Sequence, residues 1–94
     1  MEFDIPKVLR IAGRNHRVKF DVALSSAHSL KGLSELDKGI ISIDASLSWE
    51  ERRRTFIHET LHQIGYMYDL KLTESQVKRL THGLSEVVQQ LRDP

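Results

Sequence analysis

Three residues of this 94-residue chain could do chemistry together: His58, Glu59 and His62, in the run His58-Glu59-Thr60-Leu61-His62. Four residues apart on a helix, two histidines are neighbours on one face, about one turn from each other, so both imidazoles can reach one cation. Glu59 is turned from His58 by ~100°, and its carboxylate can therefore address a water at the ion without being a ligand itself. Zinc suits two imidazoles plus one oxygen ligand, with a fourth position for a water whose pKa falls towards ~7. The competing reading is plain: two ordinary helix histidines and a solvated glutamate. The absence of cysteine removes every thiolate site, so any metal must be held by His, Asp and Glu.

A zinc site needs a third protein ligand, and three positions compete for it. Gly65 could turn the chain out of the helix so that a residue three further on meets the metal, but that position is Tyr68 and the nearest carboxylate, Asp69, falls one residue late. Glu74 stands at the start of the next helix. Val77, Leu84 and Val88 lie within ~80° of it by helical rotation, so it borders the expected core face and can look towards the motif helix. It could equally be a charge placed to favour the helix N-terminus. His82 is a good ligand by type but falls about 160° from the centre of that apolar stripe, which points it to solvent. Glu74 is the preferred third ligand, with His82 and Asp69 as the alternatives. His16 and His28 sit in no ligand spacing and read as surface residues.

The elements that would position these residues divide the chain in two. Lys7 to Ala12 and His16 to Leu24 read as strands joined by a turn at Gly13-Arg14-Asn15, with alternation at Val18, Phe20 and Val22. Ile5-Pro6 could instead open a short helix through Leu9. Ser25 to Lys31 is a polar connection. Gly32 to Asp44 reads as a hairpin around Asp37-Lys38-Gly39, with glycine where a positive φ is required, and Ile41 and Ile43 alternate with Ser42 and Asp44 as an inner and an outer face.

The second half is helical. Ser48 with Glu51 forms a capping box, and the helix it opens runs through the motif to about Gly65, with Ile57, Leu61 and Ile64 as its apolar stripe. Thr73 with Gln76 forms a second box, flanked by Leu72 and Val77 as a staple. Val77, Leu80, Leu84, Val87, Val88 and Leu91 make the core face of the last helix.

Composition bounds the rest. Residues 1–94 fit one domain. Apolar residues at 39%, charged residues at 29% and a net charge of +1 suit a soluble protein, with no apolar run near the roughly 20 residues a membrane span needs. No signal segment is visible at the N-terminus, so the expected setting is cytoplasmic. The basic clusters RNHRVK and RRR read as solvated surface, and nucleic acid is not the expected partner.

From Gly32 to Leu91 the chain resembles small zincin-like proteins of phages and archaea, in which a strand of the type GIISIDASLS leads through a capped helix into HETLH and a last helix like LTESQVKRLTHGL. With Glu74 as third ligand it is most similar to the gluzincin branch of the zincin metallopeptidases, although the context of their downstream glutamate, N-E-x-x-[SA]-D, is absent. His58 to Tyr66 also looks like the H-x-x-x-H-x-x-G-Y stretch of bacterial rRNA-maturation metalloproteins, which carry histidine where this chain has Tyr68 and lack a glutamate at the position of Glu59.

The zincin resemblance implies an α+β fold, a small twisted and mostly antiparallel sheet packed on the motif helix and followed by a C-terminal helix. It implies zinc on His58, His62 and Glu74, Glu59 as general base, and peptide or protein substrates. Tyr66 or Tyr68 could donate to the oxyanion. The strand Gly39 to Asp44 would be either the sheet edge beside the cleft or an interior strand. The alternatives to a zinc endopeptidase are a metal-dependent RNA-processing nuclease and a catalytically silent binding or regulatory protein on the same scaffold.

Overall fold

Local chemistry sets the order of elements in the computed structural model of the chain, which describes residues 4–25 and 29–92. Strands β1 (Val8–Ile11) and β2 (Arg14–Asp21) are joined by Ala12 and Gly13, both at positive φ, 50° and 78°. Two consecutive positive-φ residues make the turn whose twist matches that of its flanking strands. The turn thus falls one residue earlier than expected, and residues 8 and 9 are strand, not helix. β2 ends at Asp21, whose Oδ1 accepts from the Ala23 amide at 2.8 Å, a local turn that competes with the ladder. Val22, expected as part of the alternation, is 81% exposed as a result.

Strands β3 (Gly32–Glu35) and β4 (Ile40–Asp44) form the expected hairpin, with Gly39 at φ 65°. Arg14 fastens its loop by donating to the carbonyl oxygens of Leu36 and Asp37 at 3.3 and 2.8 Å. The sheet order is β1-β2-β4-β3. Two of the pairings are antiparallel, while β2 and β4 run parallel, because the chain crosses to the outer edge for β3 and reverses in the hairpin before β4 enters beside β2. β4 is therefore the interior strand and β3 the edge.

This placement changes the two faces of β4. Ile41 and Ile43 are fully buried as expected, but Ser42 and Asp44 are buried too. Ser42 lies between Lys19 and Leu33, whose longer side chains shade a small serine. Asp44 turns its carboxylate onto the Ser46 amide and hydroxyl at 3.1 and 2.9 Å.

Helix α1 (Trp49–Met67) begins where the capping pattern puts it, with the Ser48 hydroxyl accepting from the Glu51 amide at 3.2 Å. It runs two residues beyond Gly65. Helix α2 (Glu74–Arg92) opens on the full reciprocal box: Thr73 Oγ1 accepts from the Gln76 amide at 3.1 Å, and Gln76 Oε1 accepts from the Thr73 amide at 2.8 Å. The core joins Val18, Ile41 and Ile43 of the sheet to Phe56, Ile57 and Leu61 of α1 and Val77 of α2, with Leu72 packed against it.

Ile64 is only half-buried; Phe56 and Gln63 are buried in its stead. The expected core face of α2 is corrected more sharply. Val77 is buried, but Leu80, Leu84, Val87 and Leu91 are 40–77% exposed, because α2 packs on α1 and buries only Val77 and Thr81 of its first turns. Among the described residues no helix is long and apolar enough to cross a membrane.

Candidate metal centre and its groove

Each potential ligand is set by a local device. His58 and His62 lie on α1 at the margin of its buried face, with side chains 21% and 27% exposed. Beyond them α1 ends at Met67 with Tyr68 as its C-cap, and Asp69 follows at φ 53°, the left-handed turn that ends many helices. The Leu70 amide then returns to the Gly65 carbonyl oxygen at 2.8 Å. A Cβ on Gly65 would stand 3.3 Å from the Leu70 carbonyl oxygen and 3.5 Å from Leu72 Cδ1. Gly65 thus permits the close return of the chain to α1; it sits inside the helix and does not itself make the turn. The Thr73/Gln76 box fixes the start of α2, so Glu74 occupies its first turn facing the histidines.

There Glu74 spans both rings: its Oε1 lies 2.8 Å from His58 Nε2 and its Oε2 lies 3.1 Å from His62 Nε2. The imidazole centroids are 5.0 Å apart at 65°. One donor atom from each of the three residues lies within 4.8 Å of the others, a spread that small side-chain adjustments close around one ion with bonds of about 2.0–2.1 Å. Two neutral imidazole nitrogens and one carboxylate oxygen are also the donor set that zinc accepts. By geometry and by type the three residues fit such an ion.

The structure separates the other candidates from this group. Asp69 is exposed and serves the helix end, where its amide meets the Tyr66 carbonyl oxygen at 3.4 Å. Tyr68 is the C-cap of α1 and 58% exposed, while Tyr66 lines a shallow hollow beside His62. His82 is exposed on the groove wall and outside the three-residue group. His16, read from sequence as a surface residue, is fully buried on the helix-facing side of β2, with Nδ1 2.9 Å from the Arg14 carbonyl oxygen; the sheet covers what its polar neighbours concealed. His28 lies outside the described residues.

Glu59 lies beside the three-residue group, under the sheet edge and on the wall of the same groove as His58 and Glu74, and is only 8% exposed. Ser34 Oγ donates to it, lying 2.8 Å from Oε1 and 3.0 Å from the Glu59 backbone carbonyl oxygen. Burial pushes its carboxyl above the ordinary value of 4.5; the Ser34 hydrogen bond and the two histidines pull down, and the Glu74 charge adds to the rise. A carboxyl raised in this way keeps its proton to higher pH than a solvated one.

Gly32 makes the approach of β3 possible: a Cβ there would meet Thr55 Cγ2 at 2.6 Å and Glu59 Cγ at 2.9 Å. Neither Gly32 nor Ser34 was singled out as functional from sequence. The pairing of Gly32 with Ile43 and of Ser34 with Ile41 puts both on the helix-facing side, and no local pattern announces that.

Between the start of β3 and the two helices runs a groove of ≈ 630 Å³, in which His58, Glu59 and Glu74 share the wall with Lys31, Arg54 and Lys78. Comparison of the chain with family models, curated proteins and solved structures gave no match in any of the three.

Proposed function

We propose that this chain is a zinc-dependent metallopeptidase of minimal zincin-like architecture, with His58, His62 and Glu74 as ligands and Glu59 as general base. The observation that carries the reading is the convergence of both Nε2 atoms on the Glu74 carboxylate, with a separate, buried carboxylate one residue from His58. A zinc ion held there would act as a Lewis acid, polarising a carbonyl and acidifying water.

The protein's own groups do the rest. Glu59 takes the proton of the attacking water and passes it to the departing amine. Ser34 keeps its carboxylate aimed while it changes charge. β3, as the edge strand crossing above Glu59, offers backbone donors and acceptors on which an extended peptide can add as a further strand, with affinity drawn from main-chain hydrogen bonds. That role falls to β3 and not to β4, which is enclosed.

The test is metal content followed by turnover. Purified protein is expected to hold one zinc and to cut an unstructured peptide, and Glu59→Ala should keep the zinc while losing cleavage. Glu74→Ala should weaken zinc by more than about 100-fold, since even outer partners of a ligand contribute about 10–100-fold; His82→Ala should leave it unaltered. Substoichiometric zinc that does not respond to His58→Ala would sink the reading. Stoichiometric zinc with no peptide cut would favour a binding protein on this scaffold.

A further inference from the structure

The groove extends beyond the proposed ligands, and its far part is basic. Arg54 lies four residues before His58 on α1, and Lys78 lies four residues after Glu74 on α2. Both line the groove together with Glu51 and Thr81. The helices therefore pass in opposite directions, and Arg54 and Lys78 fall at the same end of the centre, each about 6 Å along its helix from a ligand at 1.5 Å per residue. Lys31, the residue before β3, lines the groove from the strand side.

The carboxylates of this groove are largely occupied. Glu74 is taken by the two histidines and Glu59 by Ser34, while Glu51 stands in the first turn of α1, where the helix end favours it. The cations are not. Among the described residues neither Lys31 nor Lys78 has an ion-pair partner. Among the described residues Arg54 meets only Glu50, at 3.9 Å with both side chains more than half exposed, a contact of small worth. Lys31, Arg54 and Lys78 stand against the unpaired carboxylate of Glu51 on this wall, and the excess of positive charge concentrates its field on whatever enters.

We propose that Arg54 and Lys78, with Lys31 opposite, form a carboxylate-binding subsite, and that the preferred substrates carry a carboxylate within about two residues of the bond to be cut. The spacing sets that distance, since an extended peptide advances about 3.3 Å per residue and two residues span the offset from the ligands. The guanidinium of Arg54 can take both carboxylate oxygens, and Lys78 supplies a second charge from the opposite helix. The carboxylate can come from an Asp or Glu side chain or from the free C-terminus of a peptide. This inference rests on the peptidase reading of the neighbouring centre.

The experiment uses zinc-loaded protein and blocked alanine-based hexapeptides that carry one glutamate, walked along the peptide, or glutamine in its place. A second pair differs only in a free or amidated C-terminus. One position of the glutamate, or the free terminus, is expected to raise kcat/KM by roughly 10–100-fold, the range for a hydrogen bond to a charged partner. Which pair responds tells side chain from terminus. Arg54→Gln with Lys78→Gln should bring the ratio close to one. The same peptides are also titrated into zinc-loaded Glu59→Gln protein by calorimetry, which needs no turnover and therefore decides the subsite even if no peptide is cut. Tighter binding of a carboxylate peptide, lost in the double variant, supports the subsite. Equal affinities, a preference that survives both substitutions, or binding of neither peptide overturns it.

Discussion

The Ser34 hydroxyl holds the Glu59 carboxylate from across the sheet edge, 2.8 Å from Oε1 and also 3.0 Å from the backbone carbonyl oxygen of the same residue. One hydroxyl has one proton, so the two contacts form a three-centre arrangement that ties strand β3 to α1 and fixes the carboxylate proposed as general base. Ser34→Ala should retain zinc while kcat falls by about 10–100-fold, the range for a lost hydrogen bond to a charged group. Because that bond lowers the Glu59 pKa, the acid limb of the pH–rate profile should also move to higher pH. Thr at this position should restore part of both. A variant with unchanged kcat and an unmoved profile would assign Ser34 to strand packing alone.

Gly32 is a second point where β3 and α1 meet, and its demand is steric. A methyl group there would stand 2.6 Å from Thr55 Cγ2, a β-branched atom close to the backbone that cannot swing clear, and 2.9 Å from Glu59 Cγ. Gly32→Ala should lift the strand off the helix, costing about 1–3 kcal/mol of stability as an overpacked contact and most of the activity. Adding Thr55→Ser removes the nearer atom and should recover part of the melting temperature. Absence of any recovery would mean that the clash is relieved by movement of the whole strand.

These two residues mark where the sequence stops being readable. The Ser48 cap, the Thr73/Gln76 box, the motif helix and the Gly39 loop are legible because they depend on neighbours three or four positions away, and Glu74 could be weighed because that box fixes its place on α2. The partnership of Ser34 with Glu59 spans 25 positions and depends on strand order, which the chain does not announce. β3 also presents Gly32 and Ser34 inward and Leu33 outward, at 39% exposure, against the usual hydrophobic alternation. His16 is hidden from the sequence for a related reason: it is polar, flanked by Asn15 and Arg17, yet faces the helix and is fully buried.

The last helix shows the opposite failure, a periodic stripe without a core to meet it. Val77 is fully buried, whereas Leu84 and Val87, on the same stripe, are 40% and 49% exposed. Val77→Ala should destabilise by about 1–3 kcal/mol, since it removes buried methyl groups and leaves a void. Leu84→Ser and Val87→Ser should each stay within about 0.5 kcal/mol, the usual range for surface substitutions. Denaturant melts of the three variants decide it. Comparable losses at all three positions would show that the end of α2 is covered in solution.

The burial of Glu59 has a cost that can be read without any substrate. Its carboxyl is raised above 4.5 chiefly by desolvation, whereas in the unfolded chain it titrates near that ordinary value. Between the two values the native state keeps the proton and the unfolded state has released it, so stability falls as pH rises through this window, by up to about 1.4 kcal/mol per pH unit. Glutamine carries no such charge and can still accept from Ser34. Metal-free Glu59→Gln should therefore melt above the metal-free parent at pH 7, by about 4–8 °C for each kcal/mol recovered. The gap should close as pH drops well below 4.5, where the parent carboxyl is protonated in both states; His58, His62 and Glu74, whose charges act on Glu59, contribute to its size. An equal gap at pH 4 and pH 7 would mean that Glu59→Gln acts through packing, and the assignment of a desolvated, proton-retaining base would fail with it.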